Sequence, residues 1–68
     1  MYKWKVEYIL KNGEHLFGVY HGNETNSVDV FKVLFAGDAN TFNGCKTVDN
    51  KGTLCVRNSD ISALIVSV

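Results

Sequence analysis

An α+β fold, with element order ββαβββ and a small curled antiparallel sheet or partly open barrel, is predicted by three features of this sequence. Polar and apolar residues alternate from Tyr2 to Leu10, and an Asn12-Gly13 dipeptide follows almost at once. Asn26–Gly37 is the one segment with apolar residues at helical spacing, so the strands on either side of it must wrap it. A single domain spanning residues 1–68 with one helix at about 26–36, packed across the sheet, accommodates all three.

The first strand places Tyr2, Trp4, Val6, Tyr8 and Leu10 on one face and Lys3, Lys5, Glu7 and Ile9 on the other. Asn-Gly is a strong hairpin signal because a type I′ turn needs positive φ at both central residues. A two-residue loop there opposes Tyr8 to Phe17, Val6 to Val19 and Trp4 to His21, and this is the expected register. A bulged turn with Gly13 alone at positive φ would instead bury Leu16 and Tyr20, because a one-residue slip exchanges the faces of a strand. Gly18, inside the second strand, marks a bend or a close backbone approach.

The helix starts at Asn26 or Ser27, whose side-chain oxygens can accept from free N–H groups of the first turn. Asp29 suits the positive end of the helix dipole. Val28, Phe31, Leu34 and Phe35 form an apolar stripe that Val30 and Val33 widen, leaving Asp29 and Lys32 wet. Three valines lower helix propensity, so packing must hold this short helix, and Gly37 is placed to end it.

Strand character returns at Thr41–Val48. A three-residue bulged turn through Asp49-Asn50-Lys51-Gly52 pairs Val48 with Leu54 and Lys46 with Val56. Phe42, Val48, Leu54 and Val56 then share the core face, with Cys45, Thr47, Cys55 and Arg57 opposite. Ser59-Asp60 caps a short turn before a last strand, Ile61–Val68. Its Ala63–Val66 run is apolar on both faces, which points to a central position or to a partner covering one side.

The chain is 46% hydrophobic and 21% charged, a globular rather than disordered composition. Its seven basic and seven acidic side chains cancel, so it lacks the basic excess of a protein gripping duplex DNA. No apolar run approaches the roughly 20 residues of a membrane helix, and Met1–Glu7 reads as strand rather than as a signal peptide. Two cysteines without a Cys-x-x-Cys spacing fit free thiols in a reducing cytosol.

No catalytic, phosphate-binding or metal motif is present, and no cofactor is expected. His15 and His21 share a strand face but lack companion ligands, and read as surface residues of the first hairpin. Cys45 and Cys55, diagonal neighbours in the expected register, are poorly placed for a disulfide. Asp38, Asp49 and Asp60 each occupy a turn or cap, where Asp is locally useful. Trp4, Tyr8 and Phe17 alternate with Lys3 and Lys5, but the expected register puts those aromatics on the face away from the lysines. Core packing is therefore their expected role, ahead of base stacking.

Surplus apolar surface points elsewhere. Ile9, Leu16, Tyr20, Leu64, Val66 and Val68 form the candidate interaction surface, since large exposed apolar patches and free strand edges mark association sites.

Across its length the chain resembles small accessory proteins encoded by phages and prophages of Gram-positive bacteria. The resemblance lies in Lys3–Tyr8, the turn Lys11-Asn12-Gly13-Glu14, the loop and helix Glu24–Phe35, and Ser59–Ile65. It implies a setting, the host-cell cytosol, and carries over no functional residues. The closing strand is also similar to those of small SH3-like or Sm-like barrels. The expected function is that of a non-enzymatic accessory protein that binds a host or phage protein and self-associates as a homo-oligomer. The alternative is a small barrel that binds single-stranded nucleic acid.

Overall fold

A computed structural model describes residues 1–68. The elements are β1 (Tyr2–Leu10), β2 (His15–Gly22), α1 (Ser27–Leu34), β3 (Phe42–Thr47), β4 (Thr53–Arg57), a 3-10 turn (Asn58–Asp60) and β5 (Ile61–Ser67). The strands form one five-stranded antiparallel sheet in the order β4-β3-β2-β1-β5. It is open, with β4 and β5 as its edges, so β5 is not central despite its apolar run.

The first hairpin adopts the bulged register. Gly13 alone takes positive φ, at 89°, and Leu10 N–H donates to the Glu14 carbonyl at 2.8 Å, closing a three-residue loop. Asn12 stays outside the left-handed region, and its side-chain oxygen accepts from Glu14 N–H at 2.9 Å. The expected pairing of Tyr8 with Phe17 is therefore replaced by Tyr8 with Leu16 and Trp4 with Tyr20. Gly18 moves to the inner face, and a Cβ there would lie 2.9 Å from the Lys46 carbonyl oxygen. A side chain at that position, as the expected register requires of Val19, would push β2 and β3 apart.

The second hairpin also departs from expectation. Its loop opens at Val48, two residues early, because the Thr47 hydroxyl and Asp49 carboxylate organise it. The hydroxyl donates to Asp49 Oδ1 at 2.6 Å, and Lys51 N–H donates to the same oxygen at 3.0 Å. Asn50 takes the positive φ, 63°. Cys45 thereby pairs with Leu54 and Asn43 with Val56. Asn43, Cys45, Leu54 and Val56 face inward, while Phe42 and Val48 are exposed, the reverse of their expected placement.

The helix is shorter than 26–36. Asn26 caps it, its side chain accepting from Asp29 N–H at 2.9 Å, and it ends at Leu34, before Gly37. Val30 and Leu34 are its buried residues, one turn apart, so the buried stripe is narrower than the sequence pattern. They join Trp4, Val6, Tyr8, Cys45, Val56 and Ile61 in one core on the inner face of the sheet.

A chain of buried polar contacts crosses that core. The Tyr8 hydroxyl donates to Asn43 Oδ1 at 2.8 Å, and Asn43 Nδ2 donates to Asn58 Oδ1 at 3.3 Å. Asn58 Nδ2 donates to the carbonyls of Ala36 and Asp38, at 3.2 and 3.1 Å. No buried side-chain nitrogen or oxygen is left unpaired, as burial of polar groups demands.

Burial foremost, and then the neighbouring Cys45 thiol, holds the Tyr8 phenol well above its ordinary pKa. The folded state keeps a proton that the unfolded chain releases above about pH 10. This share of stability is therefore full below about pH 10 and declines as the pH rises beyond it. Tyr8→Phe should cost about 1–3 kcal/mol at neutral pH, because Asn43 Oδ1 loses its donor. It should also flatten the alkaline decline, as read from urea titrations over a pH series.

Candidate functional surfaces

Strand alternation divides the sheet into an inner face under α1 and an outer face without a covering element. The strands contain four basic residues, Lys3, Lys5, Lys46 and Arg57, and one carboxylate, Glu7; all five lie on the outer face. The other six carboxylates occupy turns, loops, the helix and the 3-10 turn. The neutral total thus conceals a segregated charge, because inward strand positions admit no ions.

Lys5, Val19 and Lys46 are successive cross-strand neighbours on β1, β2 and β3. Val19 is buried although it lies on the outer face. It joins the exposed Phe17, Val48 and Ile65 in lining a groove of about 290 Å³, with Lys3 and Lys5 among its other walls. Glu7 also borders this groove and is engaged by His15, whose Nδ1 lies 2.6 Å from Glu7 Oε2. Toward the β4 edge, the Arg57 guanidinium carbon lies 5.3 Å from the centroid of Phe42, a cation–π arrangement on an exposed ring.

A second surface lies where α1 meets β5. Val28 and Phe31, 60% and 41% exposed, border a shallow groove of about 210 Å³ with Ser27, Leu64 and Val66. Phe31 stacks on Phe35 with ring centroids 5.5 Å apart. Beside them runs the free edge of β5, whose seven residues, Ile-Ser-Ala-Leu-Ile-Val-Ser, include no charge and no proline.

The six residues of the expected interaction surface are divided between these places. Leu64 and Val66 reach the α1–β5 groove, and Val68 is exposed beyond the strand end. Leu16 and Tyr20 instead turn inward and pack against the core, because the bulged register exchanged the faces of β2. The Tyr20 hydroxyl donates to Glu24 Oε1 at 3.0 Å. Ile9 lies on the outer face with Phe17 and Val19. Trp4 and Tyr8 are buried, as expected, but Phe17 joins the lysines. The alternation of Phe17 with Lys3 and Lys5 could not reveal this without the turn geometry.

The cysteines lie on opposite faces as free thiols, not as diagonal neighbours on one face. Burial is the main cause that raises the Cys45 thiol pKa, whereas Cys55 is exposed. His21 is exposed, and no group of three or more His, Cys, Asp or Glu side chains converges. No helix is long and apolar enough to cross a membrane.

One thiol per chain, that of Cys55, should therefore react readily with a disulfide reagent under native conditions, and both in denaturant. Mass mapping of the labelled peptide checks the assignment. Comparison with protein-family models, with curated proteins and with solved structures finds no match.

Proposed function

We propose that this chain is a non-enzymatic interaction protein that self-associates through its α1–β5 side. It would act in the host-cell cytosol, the setting of the phage and prophage accessory proteins its sequence resembles. The observation that carries the association is the uncharged, proline-free edge of β5. Sheet edges are ordinarily blunted by charge, proline, bulges or shortness. The opposite edge, β4, follows that rule, with five residues ending in Arg57. On β5 one irregularity at Ser62 interrupts the pairing with β1, but the seven-residue edge is uncharged, and exposed Val28 and Phe31 stand beside it.

An antiparallel pairing of β5 with β5 of a second copy is self-complementary and closes after two subunits. It would satisfy the edge's free N–H and C=O groups while covering the adjoining apolar side chains of the helix. It would also account for a strand with apolar residues on both faces at a sheet edge. A host or phage protein offering an extended segment could use the same edge by strand addition.

Sedimentation equilibrium from micromolar to millimolar protein tests the association. A reversible dimer is expected, and Phe31→Glu should weaken it by about 2 kcal/mol, roughly thirtyfold in Kd, without loss of folded signal. A strict monomer throughout that range would remove self-association from the account.

A further inference from the structure

We propose that the outer face of the sheet binds single-stranded nucleic acid. The inference comes from a surface separate from the β5 edge and does not depend on dimerisation. Three properties of that face act together. All four strand cations are there, while Glu7, the one strand carboxylate, is already held by His15 at 2.6 Å. None of Lys3, Lys5, Lys46 and Arg57 is neutralised by a carboxylate. Neighbouring strands run about 4.8 Å apart, which places the backbones of Lys5 and Lys46 about 9.6 Å apart across Val19. The result is a basic track running across the strands instead of one isolated charge.

Flat apolar surface is interleaved with that track. Phe17 is 59% exposed beside the Val19-floored groove, with Ile65 and Val48 on its walls. Phe42 is 61% exposed near the β4 edge, with the Arg57 guanidinium over its ring. Exposed aromatics on a sheet give unpaired bases a stacking platform, and neighbouring cations take the phosphates. Duplex DNA hides its base faces and could use only the charge. An acidic peptide could likewise use the charge, but would leave the aromatic rings without a comparable planar partner. The combination favours a single strand over both.

The test is fluorescence anisotropy with a labelled oligothymidylate, a duplex of equal length and a labelled polyglutamate, at several salt concentrations. The native chain should prefer the single strand, and log K should fall with log salt with a slope of about −2 to −3, as for three or four neutralised phosphates. Phe17→Ala should weaken binding by about tenfold, and Lys5→Glu with Lys46→Glu should reduce both affinity and slope. These side chains are exposed, and circular dichroism verifies that each variant is folded. Absence of oligothymidylate binding at low salt would overturn the proposal. So would equal affinity for the duplex or polyglutamate, or binding that folded Phe17→Ala and Lys5→Glu/Lys46→Glu proteins retain in full.

Discussion

The chain of hydrogen bonds from Tyr8 through Asn43 and Asn58 to the carbonyls of Ala36 and Asp38 is the constraint on which this fold depends. It links β1, β3, the 3-10 turn and the loop leaving α1. A chain this small has a limited apolar core, and helix and sheet packing alone leave little margin. A buried asparagine pair adds direction to that packing, because each amide is satisfied only in one arrangement of its neighbours. Asn58 acts where the chain reverses, tying the carbonyls after α1 to the turn that leads into β5.

The same network fixes what the sheet shows to solvent. With Asn43 turned inward to meet Tyr8, strand alternation sends Phe42 outward and brings Cys45 into the core beneath Gly18. Gly18 can occupy that place because it adds no side chain between β2 and β3. Once Gly18 faces inward, Phe17 and Val19 must face outward, among Lys3, Lys5 and Lys46. The basic, aromatic outer face and the buried polar chain are therefore two consequences of one register. The α1–β5 side is separate: narrow burial of the helix through Val30 and Leu34 leaves Val28 and Phe31 exposed beside an uncharged edge.

Much of the architecture was readable from residue types. Alternation located β1, the Asn26 cap located the start of α1, and Gly18 marked the close approach of two strands. Apart from the helix, which ends at Leu34 and buries a narrower stripe than expected, the failures concerned register. Asn12-Gly13 serves equally well in two turns whose residue requirements overlap, and only the Asn12 contact to Glu14 N–H and the fit of Gly18 against β3 distinguish them. In the second hairpin, Asp49 and Gly52 suggested a turn that the Thr47 hydroxyl pre-empts. Nothing near Asn43 in the sequence marks its role, because its value depends on Tyr8 and Asn58, 35 and 15 positions away. The register shifts by one residue in the first hairpin and by three in the second, and each odd shift moves a set of side chains to the opposite face, so the candidate surfaces were less legible than the elements that carry them.

A double-mutant cycle joining Tyr8→Phe and Asn58→Ala, measured by urea denaturation at neutral pH, tests this account most directly. The two side chains reach each other through Asn43, so either substitution deprives the same buried amide of a partner. A coupling energy of about 1 kcal/mol or more is expected. Effects that add to within about 0.5 kcal/mol would contradict the claim that one polar chain sets the register and, with it, the outer face of the sheet.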